Sequence, residues 1–143
     1  MNAAQKKAVQ YSNLINKTVQ TIDEQQDTLN PEFETLRKHL DRDIVDRIDD
    51  VEYARIKRDF AKGTKTYQDL LAKLQKGKAP ARFMGTHISL VAAFKDYVDG
   101  CAKMTQSIGD DKKVDRTLFN EAEKQQDEDM DKFSKQIQKL TEM

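Results

Sequence analysis

The sequence predicts an all-α fold: an antiparallel, up-down bundle of four long helices. Three observations carry that prediction. Apolar residues recur at steps of three and four through most of the chain, which is the spacing of one helix face. The composition is rich in Lys, Gln, Glu, Asp, Ala and Leu, with no Trp, two Pro and five Gly, so strand formers and turn residues are scarce. The punctuation is sparse and falls where long helices end, at Pro31, Lys76-Gly77-Lys78-Ala79-Pro80 and Gly109,. At 143 residues one domain spanning 1–143 is expected, with more than about 75% helix and no strand.

The first helix is expected from about Ala3 to Thr28. Ala8, Tyr11, Leu14, Ile15, Thr18, Val19, Ile22 and Leu29 form its apolar stripe, opposite a wet face of Gln5, Lys6, Gln10, Asn13, Lys17, Gln20 and Glu24. Asn30-Pro31 reads as a cap followed by a first-turn proline, with Glu32 and Glu34 favouring the positive helix end,. A second helix then carries Phe33, Leu36, Leu40, Ile44, Ile48 and Val51 inward. Around Asp49-Asp50 the stripe changes phase, to Tyr53, Ile56, Phe60, Tyr67, Leu70, Leu71 and Leu74. A kink or stop is therefore expected within about two residues of Asp49-Asp50, with Asp50 available as a cap; a complete break makes five helices rather than four. Gly63 lies inside the third segment and permits close approach of a neighbour,.

The stretch from Ala81 to Gly109 is the densest apolar sequence in the chain and reads as the central helix. Leu90, Val91, Phe94, Val98 and Cys101 are expected to be its most buried residues, with His87 partly buried and holding a polar partner. Gly109 is expected to be its left-handed stop. The last helix runs from about Asp115 to Thr141, with Leu118, Phe119, Ala122, Met130, Phe133, Ile137 and Leu140 inward. Gln125, Gln126 and Asp129 interrupt that stripe, so its middle is expected to be wetter than its ends. Short loops at 29–31, 77–81 and 109–114 imply antiparallel neighbours.

Several function classes are excluded. The 25 basic and 25 acidic side chains balance, so no global field favours a polyanion, and with no basic tail, helix-turn-helix spacing or zinc pattern no nucleic acid is expected. No run reaches the roughly 18 apolar residues of a membrane span. A di-iron site needs Glu-x-x-His pairs, but Leu36 and Met84 stand three residues before His39 and His87; no metal and no cofactor are expected. The Asp41-Arg42-Asp43-Ile44-Val45-Asp46-Arg47 run lacks the glycine and glutamate of a calcium loop,. His87 and Cys101 are fourteen residues apart on one helix, about 21 Å, too far for a thiol–imidazole pair. No phosphate loop, dinucleotide fingerprint or nucleophile elbow occurs, so a non-catalytic protein is expected.

One charge asymmetry stands out. From Val51 to Pro80 there are eight basic and three acidic residues, a net +5, whereas 110–143 carries seven basic and ten acidic, a net −3. Arg55, Lys57, Arg58, Lys62 and Lys65 either pair with acids inside the bundle or face an anionic polymer or lipid surface. Tyr67, His87 and Tyr97 are the candidate lining of a small-molecule or anion site between helices. The leading expectation is an interaction or structural bundle with a protein partner or a second copy; the alternative is a ligand- or anion-binding sensor bundle. The single cysteine says nothing about redox compartment. A native start at Met1 implies the cytoplasm by default; a removed leader implies an exported domain.

Ala8-x-x-Tyr11-x-x-x-Ile15 with Ile22 and Leu29, the Ala79-Pro80 loop, and His87-x-x-Leu90-x-x-x-Phe94-x-x-Tyr97-x-x-Gly100 together resemble small all-helical, exported, often lipid-anchored bacterial surface proteins. They cover about a third of the chain. The resemblance implies a helical architecture and a cell-surface address, without an assigned activity; the lipobox cysteine of the anchored members is absent. The chain is also similar, more remotely, to secreted helical hairpins of the type VII pathway, though it lacks their Trp-x-Gly turn and is too long.

Overall fold

The computed structural model describes residues 1–142. About 87% of the chain is helical. The long helices are α1 (Ala3–Asp41), α2 (Asp50–Lys76), α3 (Met84–Ser107) and α4 (Arg116–Glu142), with short 3-10 turns at Val45–Arg47 and Ala81–Phe83. No strand occurs among the described residues; the nearest thing to one is an isolated antiparallel bridge between Ile108 and Val114. α1 packs on α2, α2 on α3, and α3 most extensively on α4, the order of an up-down bundle.

Four long helices form although the break near Asp49-Asp50 is complete, because the division expected at Asn30-Pro31 is absent. α1 does not stop near Thr28; it runs through Asn30-Pro31 to Asp41. Pro31 removes one backbone donor and crowds the carbonyl four residues back, about 3 kcal/mol in a helix interior. Packing overrides that local signal. Leu29 and Phe33 press against the core on either side of the proline, and Leu36 one turn on is fully buried. Pro31→Ala is therefore expected to stabilise the fold, by roughly 1–2 kcal/mol in urea melts. No change, or a loss, would mean that the proline's preset backbone matters more than its missing hydrogen bond.

The break near Asp49-Asp50 is complete. α1 ends at Asp41, and α2 starts at Asp50 with Asp49 as its cap, its carboxylate accepting from the Val51 and Glu52 amides at 3.1 and 3.4 Å. Asp49, not Asp50, is the cap because two free amides of the first turn converge on it. Val51, placed in the apolar stripe by the sequence, is 76% exposed; the intervening turn buries Val45 and Ile48 instead and leaves Val51 on the outer face of the new helix.

α3 is the central helix. Leu90, Phe94, Val98 and Cys101 are buried as expected, whereas Val91 is only partly covered. Gly109 does not end α3 in a left-handed conformation. No glycine has positive φ; the left-handed residues of this turn are Asp111 and Lys112. Gly109 is required for space instead: its N–H donates to the Lys113 carbonyl at 2.8 Å, and a Cβ there would lie 2.4 Å from that oxygen. Gly63 does permit close approach, since a Cβ would meet Leu29 of α1 at 2.8 Å. The α3–α4 turn is tied to the start of α2, where the Tyr53 hydroxyl donates to the Gly109 carbonyl at 2.7 Å and Lys112 pairs with Asp50 at 2.5 Å.

The apolar interior divides into two. One cluster joins Ile15, Ile22, Tyr67, Leu74, Leu90, Phe94 and Phe133; the other joins Leu36, Ile56, Phe60, Met104, Ile108 and Phe119. Between them, at mid-height, every helix changes to polar or small residues: Gln25-Gln26 on α1, Gly63-Thr64 on α2, Cys101 on α3, and Gln125-Gln126 on α4. That level is where the candidate site lies.

Candidate functional site

A cavity of about 260 Å³ opens at this mid-height level, between the two apolar clusters. Its apolar walls are Leu29 and Phe33 of α1, Phe60 of α2, Met104 of α3 and Met130 of α4. Its polar groups are Gln26 and Asn30 of α1, Thr64 of α2, Glu123, Gln126 and Asp127 of α4, and the phenols of Tyr67 and Tyr97. Helices of this bundle could close with apolar residues here, as they do above and below. Instead they place hydrogen-bonding groups around a space large enough for several waters or one small molecule.

Two of the three aromatic candidates read from the sequence meet here. Tyr67 and Tyr97 stand edge-to-face with ring centroids 5.4 Å apart, and Phe94 packs against both. Burial pushes both phenols well above their usual range; neighbouring Cys101 adds to this for each, and Asp23 of α1 does so for Tyr67. They are neutral hydroxyls at any physiological pH, able both to donate and to accept. Thr64 is fixed by a chain of hydroxyls: Thr105 donates to the Phe60 carbonyl at 3.1 Å, and Thr64 lies 2.9 Å from the Thr105 oxygen and 3.2 Å from the Cys101 carbonyl. The Cys101 thiol donates to the Gln126 side-chain oxygen at 3.6 Å, and burial pushes its pKa up to about 12. A thiol so placed is a polarisable wall of the cavity and not a nucleophile.

His87 is not part of the cavity. It is buried rather than partly exposed, and both ring nitrogens are engaged: Nδ1 with the Tyr11 hydroxyl at 2.8 Å, Nε2 with the Leu74 carbonyl at 3.1 Å. The Leu74 carbonyl can only accept, so Nε2 carries the proton, and in the neutral ring Nδ1 accepts from Tyr11. His87 thereby satisfies a carbonyl in the last turn of α2 while holding α1, α2 and α3 at one end of the bundle.

The basic residues of α2 lie away from the cavity. Arg55 faces Glu32 of α1 at 4.0 Å, Lys57 pairs with Asp110, Arg58 with Asp59 at 3.8 Å, and Lys65 with Asp69 at 3.1 Å; Lys62 is exposed. Only Lys57 reaches the acidic C-terminal segment, because α4 packs chiefly on α3. The Arg55–Arg58 face instead borders a carboxyl pair. Glu32 is raised from 4.5 to about 7, first by burial and then by the neighbouring Asp59 carboxyl, and its Oε2 is buried without a hydrogen-bond partner. Burial and the adjacent carboxylate both disfavour the charged form of Glu32,.

That pair makes stability depend on pH. An acid whose folded pKa lies above its unfolded value holds its proton more tightly in the native state. The native advantage is complete below about pH 4.5 and is lost as pH rises toward about 7,. Glu32→Gln removes the second charge beside Asp59, so it is expected to stabilise the protein by about 1–2 kcal/mol at pH 8 and to be near neutral at pH 4.5. Urea melts at the two pH values measure the difference; equal effects at both would show that Glu32 does not titrate in this window.

The sequence did not single out Gln26, Asn30, Thr64, Gln126 or Asp127 as site residues. The signal was present in part, as the interruption of the α4 stripe at Gln125, Gln126 and Asp129. Gln126 lines the cavity, and Gln125 crosses to α3, donating to the Asp96 carbonyl and accepting from Lys103. Asp129 is buried, its carboxyl raised by desolvation and by Asp96 of α3. Among the described residues, no group of three His, Cys, Asp or Glu side chains is placed to hold a metal ion, and no helix is long and apolar enough to cross a membrane. No family model, curated protein sequence or solved structure matches the chain.

Proposed function

We propose that this protein is a non-catalytic, ligand-binding helical bundle whose site is the mid-height cavity at Tyr67 and Tyr97. The observation that carries the reading is the composition of that cavity. Four helices each place polar or small groups at the same level, between two apolar clusters that otherwise fill the interior. Thr64, Tyr67 and Tyr97 are buried at that level, Gln26, Glu123 and Gln126 are half-buried, and Asn30 and Asp127 lie exposed at the rim; apolar walls with a few convergent polar groups are the form of a small-molecule site. The groups are hydrogen-bonding and aromatic, as binding requires, with the buried thiol of Cys101 held protonated, so recognition rather than bond-making is the fitting role.

Filling the cavity tests this. Gln126→Trp places an indole in the space. A thermal-shift survey of small water-soluble molecules is expected to find compounds that raise the Tm of the wild-type protein and leave the variant unchanged. Equal shifts in both proteins would place binding elsewhere and sink the reading.

The interaction reading has one observation in its favour. Met84 and Ile88, one turn apart at the start of α3, are 52% and 66% exposed, more apolar surface than a helix end needs. Sedimentation of the wild type and of Ile88→Lys over a concentration range tests it: self-association that the variant loses supports a second copy at this end. A wild type that stays monomeric leaves the apolar pair without that role.

A further inference from the structure

A second space of about 260 Å³ lies beside the mid-height cavity along the α1–α4 seam, and Gln26 and Met130 line both. The charged residues lining them are Asp23, Glu123 and Asp127; neither lining contains Lys, Arg or His. Glu123 is already held by Arg37 at 3.1 Å, at the end of the seam where Arg37 also bonds Asn120. Among the described residues, Asp23 and Asp127 take part in no salt bridge. The nearest unpaired charge available to a molecule entering the seam is therefore negative.

The aromatic walls point the same way. Phe33, Phe60, Tyr67 and Tyr97 all line the first cavity. An aromatic face carries negative electrostatic potential and attracts a cation, more so when water is excluded. An anionic ligand would instead meet two carboxylates in the first cavity, with no Lys, Arg or His in its lining to receive it. The volume sets the size: a cavity of roughly 150 Å³ holds one benzene, so 260 Å³ takes one ring with a short chain.

On the reading that this cavity is a ligand site, we infer that its ligand is a small organic cation: an amine on an aromatic body, its ring between the tyrosines and phenylalanines and its ammonium toward Asp127. Asp127 lies exposed at the rim of the cavity; partial desolvation and the neighbouring Glu123 raise its carboxyl above the ordinary range, and an ammonium beside it favours the charged form.

Three probes of one shape separate the possibilities: phenethylamine, 2-phenylethanol and 3-phenylpropanoate, titrated calorimetrically into the intact chain at pH 7 and low salt. Phenethylamine is expected to bind about ten-fold or more tighter than the alcohol, and the carboxylate not measurably. Asp127→Asn is expected to bring the amine to within about two-fold of the alcohol while leaving the alcohol's affinity unchanged. Gln126→Trp is expected to abolish both. Alcohol and amine binding equally, both lost in Gln126→Trp, would overturn the cationic class and leave the cavity reading standing. Carboxylate binding best would overturn the class in the other direction. No binding of any probe, or binding that survives Gln126→Trp, would overturn both.

Discussion

Phe94→Ala is expected to destabilise the protein by about 3–5 kcal/mol in urea melts, a large part of the roughly 5–15 kcal/mol that holds a domain of this size together. Phe94 is fully buried on α3. Its ring contacts Tyr67 of α2, Tyr97 of its own helix and Phe133 of α4, with centroids 5.3 to 6.2 Å away. Truncation therefore removes the apolar surface of one ring and leaves a void walled by three others. These rings are held by different helices and cannot collapse together without moving them. A loss within about 0.5 kcal/mol of wild type would mean that α3 is not the centre of the fold. The variant also loosens Tyr67 and Tyr97, so any ligand affinity at the cavity is expected to fall with it.

Phe119→Ala is expected to cost a similar 3–5 kcal/mol, and the comparison between the two is the informative part. Phe119 is fully buried near the start of α4. It stacks on Phe33 of α1 at 5.5 Å with the rings nearly parallel, and the Arg37 guanidinium lies 5.0 Å from its centroid. Arg37 in turn bonds Asp41, Asn120 and Glu123. This set fastens α4 to α1 at the end of the seam farthest from Phe94's cluster. If the polar cavity separates two independently packed halves, milder truncations in the two clusters should add. A double-mutant cycle of Phe94→Leu and Phe119→Leu is expected to show coupling below about 0.5 kcal/mol. Coupling above about 1 kcal/mol would mean that the interior is one continuous core and that the cavity does not divide it.

The sequence by itself determined the class of the fold, the level of the chain at which α3 becomes central, and the break before α2. These are consequences of periodicity and capping, which are local: the three- and four-residue spacing around Leu90, Phe94 and Val98 leaves a helix only one face to bury, and Asp49 stands beside the point where the stripe changes phase. The tertiary structure decided the rest. Pro31 carries a stop signal worth about 3 kcal/mol, yet α1 continues through it, because Leu29, Phe33 and Leu36 bury more by staying in one helix. Gly109 was legible as a required glycine but not for its reason, since the crowding comes from the Lys113 carbonyl across the turn. Tyr67 and Tyr97 were legible as a candidate pair, and His87 was not separable from them, because helix height is not written in a residue's own neighbourhood. Tyr11 and Leu74 claim both nitrogens of His87 at one end of the bundle, while Gln26, Thr64 and Gln126, each an ordinary polar residue in its own helix, become one site only when three helices bring them to the same level.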